Sequence, residues 1–193
     1  MSWIVTNNGE EFDLLDTQRQ PVDFKVIAHS LSQINRFNGH TRRPYSVAEH
    51  CVRMVEACKA ELFESSTELQ LAVLLHDAAE AYIGDIVRPL KLLLGSELRQ
   101  IEAGIQQSVH LAAGLPPVLP VGWRQVIQHL DMVMLATEKR DLLHLAADAR
   151  PWVCLDGVVP LPAVIEPWPS YVAEAMFMQT LQALQEARSE VAL

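Results

Sequence analysis

After Pro21 the apolar residues of this chain fall into a helical rhythm that lasts to its end, in six segments separated by turn signals. In residues 22–37, Val22, Val26, Ile27, Leu31, Ile34 and Phe37 recur mostly at spacings of three and four, the period of one helix face. Asn38-Gly39 and Pro44 make residues 38–45 a loop. Ser46 with Glu49 three residues on reads as a capping box that opens a second helix, running to about Phe63. Thr67 opens a third, TELQLAVLLHDAAEAYI, that ends near Gly84. Residues 85–95 read as a Pro-containing connector with a short turn, and a fourth helix over about 96–113 ends at Gly114. A fifth runs from about 122 to 147, residues 150–169 form an irregular, proline-rich segment, and Ser170 caps a last amphipathic helix to about Val191. Residues 3–14 differ: two short apolar runs around Asn7-Asn8-Gly9 read as a hairpin. The expected fold is an all-α helical bundle with a small N-terminal β-hairpin, one domain over residues 1–193.

A chain of 193 residues, half of them apolar, can bury about 70% of its unfolded surface without disulfides or a structural metal. Any metal it binds must therefore serve something other than folding. Fifteen Lys and Arg against twenty-four Asp and Glu leave a net charge of −9, the wrong sign for a nucleic-acid polymer or an anionic membrane surface. A small anionic substrate is compatible, because residues 36–43 (RFNGHTRR) cluster basic groups locally. The longest uncharged stretch, residues 103–123, holds Pro116, Pro117 and Pro120, which argues against a membrane span. The opening MSWIVTNNGEEFD lacks the basic and apolar regions of a signal peptide. Cys51 and Cys58 lie seven residues apart on one expected helix, about 10.5 Å and too far for a disulfide. With Cys154 they read as free thiols packed in a core, and the expected compartment is the cytoplasm.

Three expected helices each offer metal-ligand residue types: His50, the pair His76-Asp77, and Asp131. Two imidazoles and two carboxylates suit one divalent transition ion, Mn, Co, Fe, Ni or Zn, with Mg also admitted. Four protein ligands leave open positions for water and a phosphate oxygen, the mark of a catalytic site. Glu80 follows His76 by four residues and Asp77 by three, so it shares their face. Burying such a group without a partner would cost several kcal/mol, so a cation or a solvent cleft should accompany it. His29, His110, His129 and His144 lack matched partners, and the four Trp residues read as packing. Glu138 reads as part of a charge cluster with Lys139, Arg140 and Asp141, although it could orient a ligand from its own helix.

The ordered set resembles the HD-domain phosphohydrolase superfamily over roughly residues 22–145: His50 in YSVAEHCVRM, His76-Asp77 in LLHDAAEAYIGD and Asp131 in HLDMVMLATEKRDL. The pattern is most similar to the small branch of YfbR-like 5′-deoxynucleotidases and deoxynucleoside-triphosphate triphosphohydrolases. Its HDxxE…GD…P.K segment reads here as His76, Asp77, Glu80, Gly84, Asp85, Pro89 and Lys91. Arg36-Phe37 matches an Arg-aromatic pair ahead of the first His, with Phe where those nucleotidases carry Trp. The resemblance implies a metal held by His50, His76, Asp77 and Asp131, with Glu80 and Asp85 as catalytic acid-base groups. Arg36 and Lys91 would bind phosphate and Phe37 would pack on the sugar; apart from the resemblance, Arg42 and Arg43 add more positive charge than one phosphate needs and are expected to reach a longer phosphate tail. It implies a small-molecule nucleotide substrate, foremost a (deoxy)nucleoside 5′-monophosphate, and a homo-oligomer, dimer or higher. The alternatives are release of triphosphate from a dNTP, or a nucleotide-sensing module without turnover.

Overall fold

The computed structural model describes residues 2–61 and 65–191. It is mostly helical, with a two-stranded antiparallel hairpin at its start: β1 (Trp3–Val5) pairs with β2 (Glu11–Asp13) in the register Trp3↔Asp13, Ile4↔Phe12 and Val5↔Glu11. The turn between them closes where Gly9 takes φ +85°, a conformation that a residue without Cβ adopts freely. Phe12 turns inward and stacks on Tyr82, ring centroids 3.8 Å apart, which fixes the hairpin to the helical body. Such a pair contributes about 0.5–1.5 kcal/mol beyond its burial.

The first helix, α1 (Phe24–Gln33), starts where the Asp23 carboxylate accepts the Lys25 N–H and stops where Ile34 turns extended. It is shorter at both ends than its apolar rhythm suggests, because Arg36–Gly39 form a 3-10 turn in which Phe37 and Asn38 take φ of 56° and 51°. Left-handed backbone at a bulky Phe costs of order 1–3 kcal/mol and is held only by its surroundings.

The central helix is α2 (Val47–Glu61). It packs on α1, on α3 (Thr67–Leu74), on α6 (Val121–Leu142) and on α7 (Ser170–Val191), so nearly every face is covered. Ser46 Oγ caps it by accepting the Glu49 N–H at 3.2 Å. The return half of the expected capping box is missing, because the Glu49 carboxylate instead accepts from Arg53 and from the Trp168 N–H. The expected end of this helix near Phe63 lies outside the described residues.

Four further boundaries differ from the sequence reading. The segment 67–83 is two helices, α3 and the one-turn α4 (Glu80–Ile83), joined by a tight turn at 75–79 that carries His76 and Asp77. There the bonds run from residue i to i−3, as in Ala78 N–H to Leu75 O and Glu80 N–H to Asp77 O. Residues 88–94 are helical and form the start of α5 (Arg88–Ala112), with Gly95 at φ 82° and ψ −151° interrupting the helix. Helix α6 ends at Leu142 rather than near residue 147: Leu143 is extended, and the Arg42 N–H takes the Leu142 carbonyl. In α7 the first turn closes onto the Pro169 carbonyl, so Ser170 is its first helical residue and not its cap.

Gln106 of α5 explains the break at 75–79. Its side chain donates to Leu75 O at 2.7 Å and accepts from the Ala79 N–H at 3.1 Å, bridging the turn from outside. The same nitrogen lies 2.9 Å from His110 Nε2, whose ring also meets Pro117 O through Nδ1. His110 is therefore a scaffold residue. Gln106→Leu would leave the Ala79 N–H unsatisfied, at about 1–3 kcal/mol, while the Leu75 carbonyl would keep the Ala78 N–H as its donor. At roughly 2–4 °C per kcal/mol for a chain of this size, the melting temperature should fall by about 2–12 °C. An unchanged thermal melt would show that the turn holds itself.

Candidate metal centre

Helix α2 points His50 into the protein, with no exposed surface at all. Its Nδ1 lies 2.6 Å from Glu138 Oε1 on α6, and Glu138 is equally buried. An ionised carboxylate only accepts, so the ring proton belongs on Nδ1 and Nε2 carries a lone pair. His76 repeats the arrangement: Nδ1 meets the Val73 carbonyl at 2.8 Å, which again leaves Nε2 as the free nitrogen. Both Nε2 atoms are buried and have no hydrogen-bond partner. One ligand atom each from His50, His76 and Asp131 lies within 4.8 Å of the others. Asp77 Oδ2 is 3.9 Å from His50 Nε2 and 3.1 Å from His76 Nε2, while Asp131 Oδ1 is 3.6 Å from His50 Nε2.

That donor set fits a metal. A buried ring nitrogen left unsatisfied costs about 1–3 kcal/mol, and two of them converge on two carboxylates. One ion about 2.1 Å from each donor requires donor pairs within about 4.2 Å, close to the spacing present. Imidazoles whose second nitrogen donates to a carboxylate or a carbonyl are oriented as metal ligands are. Cys51, 4.0 Å from His76 Nδ1, is a poorer ligand: that nitrogen is engaged by Val73, and burial pushes the thiol pKa up. Burial opposes charge on His76 and Asp77 alike, yet their contact raises the His76 pKa and lowers that of Asp77.

Arg36 closes the centre from the 3-10 turn. It donates through Nε and Nη2 to Glu138 Oε2 at 3.1 and 3.0 Å, and lies 3.6 Å from Asp77 and 3.8 Å from Asp131. Burial alone would raise the Glu138 pKa, but Arg36 and His50 hold it below the ordinary carboxylate range. Glu138 is thus no surface charge. Its position seven residues after Asp131, on the same face of α6, was the signal for it.

Glu80, at the start of α4, is buried and lies beside the centre. Its Oε1 accepts from Lys91 at 3.1 Å, while its Oε2 is buried with no partner. Burial, together with Asp77 and Asp85, raises its pKa well above the carboxylate range in spite of Lys91. Lys91 is shared with Glu102, its nearer partner at 2.7 Å. The ammonium expected to face phosphate is therefore engaged by two carboxylates.

The centre opens onto a cleft of about 1100 Å³, lined by Arg36, Phe37, His76, Asp77, Glu80, Asp85, Lys91 and Asp131 together with residues of α5 and α6. Arg42 and Arg43 do not line it. Arg43 pairs with Glu166 at 3.1 Å and lines a separate, smaller cavity, which corrects the expectation that this loop faces the substrate. Cys154 and Trp152 do line the cleft, and Cys154 is exposed rather than core. No helix is long and apolar enough to cross a membrane.

No family model matches the chain. It is 37% identical over 194 aligned positions to the uncharacterized protein YfdR of Escherichia coli, an alignment covering 97% of this chain and 98% of that protein. The chain belongs to the YfdR family. A second relative of this YfdR-family chain, an uncharacterized protein of Rhodobacter capsulatus, is 33% identical over 143 positions, 73% of each chain.

Proposed function

We propose that this chain is a metal-dependent phosphohydrolase of the HD-domain type that cleaves nucleotide phosphate esters, with a (deoxy)nucleoside 5′-monophosphate as the simplest substrate. The observation that carries the reading is the pair of buried Nε2 atoms on His50 and His76, neither engaged in a hydrogen bond and both facing Asp77 and Asp131. These four residues would hold a divalent transition ion, whose chemistry when bound is to lower the pKa of a water and draw charge from phosphorus.

The remaining work falls to the chain itself. Glu80 orients the attacking water and takes its proton at Oε2, the one oxygen of that carboxyl free of partners. Burial, with Asp77 and Asp85 beside it, pushes the Glu80 pKa up to about 9, so the carboxyl holds that proton firmly and can return it to a leaving group. Lys91 fixes Glu80 through Oε1 and is a positioning residue. Arg36 lines the cleft beside the carboxylates and presents positive charge to equatorial phosphate oxygens. Phe37 lies on the same wall for a sugar, and Asp85, half-buried with its pKa raised by burial, lies near the leaving group. A pure binding module has no use for a buried carboxyl beside the ion, so Glu80 favours turnover.

The test is a nucleotide panel assayed with added Mn, Co or Zn. Orthophosphate release from at least one deoxynucleoside 5′-monophosphate is expected, abolished by chelator and restored by metal. Absence of turnover with every nucleotide and ion would refute the reading.

A further inference from the structure

The cleft is electrically lopsided. Its four lining carboxylates, Asp77, Glu80, Asp85 and Asp131, surround the metal centre. The cations expected there are already committed, Arg36 to Glu138, Asp77 and Asp131, and Lys91 to Glu80 and Glu102. Two further arginines line the same cleft, Arg88 from the start of α5 and Arg124 from α6. Among the described residues neither has a carboxylate partner: the Arg88 guanidinium rests 3.9 Å from Met132 Sδ, and the Arg124 side chain makes no hydrogen bond or ion pair.

Their spacing follows from the helix. Met132 is next to Asp131, so Arg88 sits at the level of the metal centre. Arg124 precedes Asp131 by seven residues, two turns on the same face and about 10.5 Å along α6. Between them Ile127 and Gln128 line the wall, and neither is acidic. In a chain of net charge −9, Arg88 and Arg124 are exposed on the cleft wall with no carboxylate neutralising them, which leaves their charge available to an anion.

We propose that Arg88 and Arg124 form a second anion subsite, for a phosphate of the nucleotide other than the one being cleaved. The proposal rests on the phosphohydrolase reading and narrows it: the preferred substrate carries at least two phosphate groups. The second phosphate belongs either to a 5′-polyphosphate chain or to the far side of the sugar, and the two sources present the same chemistry to the arginines. Each charged hydrogen bond supplied there is worth about tenfold in affinity.

The experiment compares wild type with the double variant Arg88→Gln/Arg124→Gln, whose exposed side chains leave the core untouched. The ligands are the 5′-monophosphate, 5′-triphosphate and 3′,5′-bisphosphate of one deoxynucleoside, with binding followed by calorimetry and turnover in parallel. Wild type should bind one of the multiply phosphorylated ligands at least about tenfold more tightly than the monophosphate, and which one identifies the source. The double variant should lose roughly 100-fold on that ligand and no more than about threefold on the monophosphate. Equal losses on all three ligands, or no preference over the monophosphate in wild type, would overturn the subsite. Binding that follows this pattern without turnover of any nucleotide would instead refute the hydrolase reading and leave the subsite standing.

Discussion

His76→Ala and Asp77→Ala are each expected to abolish retention of one divalent transition metal per chain. The second nitrogen of His76 is fixed by the Val73 carbonyl, so its Nε2 cannot turn away, and the neighbouring Cys51 is a poor substitute because burial raises its thiol pKa. Loss of a direct ligand should cost more than the 10–100-fold typical of a group that only orients one. Glu138→Gln provides that milder comparison. It keeps an acceptor for His50 Nδ1 but removes the charge that polarises the ring and anchors Arg36, so metal affinity should fall about 10–100-fold. Elemental analysis of protein purified without chelator measures occupancy. Thermal melts measure the linkage: at 100 times the dissociation constant, an ion stabilises by about 2.7 kcal/mol, or roughly 5–11 °C for this size. Affinity should weaken as pH falls, because protons compete for the two Nε2 atoms. Undiminished metal in both His76→Ala and Asp77→Ala would mean that the cluster binds no ion.

The elements that sequence made legible are those with strong local signals. The hairpin announced itself through Asn7-Asn8-Gly9, α2 through Ser46, and α7 through its amphipathic stripe. The break between α3 and α4 was hidden because residues 71–83 are rich in helix formers, and the agent of the break, Gln106, lies some thirty residues downstream. The start of α5 was hidden for the opposite reason. Leu90, Leu92, Leu93 and Leu94 all face solvent, so the segment shows no apolar face to count.

The candidate site divides in the same way. Sequence order alone named His50, His76, Asp77 and Asp131, and the structure brings their donor atoms together. Partners set by tertiary packing were out of reach. Lys91 finds Glu102, Arg43 finds Glu166, and Arg36 finds Glu138 across more than a hundred residues. A basic cluster in sequence says nothing about which of its charges will already be neutralised. For that reason sequence alone did not separate Arg42 and Arg43, which lie away from the cleft, from Arg88 and Arg124, which line it.

Glu80→Gln is expected to keep the metal and lose the chemistry. Glutamine is nearly isosteric, its side-chain oxygen can still accept from Lys91, and Glu102 continues to hold that lysine. The fold should therefore survive, and because Glu80 is not one of the proposed ligands, metal content should match wild type. What the amide cannot do is receive a proton at the position of Oε2. Loss of a positioned general base typically costs a factor of roughly 10² to 10⁴ in kcat, with little change in substrate affinity. The pH profile supplies the discriminating readout. A base acts when deprotonated, so wild-type kcat/KM should rise with pH through the Glu80 pKa, which burial and the charges of Asp77 and Asp85 place above the ordinary carboxylate range. In Glu80→Gln that rising limb should disappear together with the rate. A variant with wild-type turnover, or one that keeps the same acid limb at reduced rate, would assign the proton transfer to another group, with Asp85 the nearest alternative in the cleft.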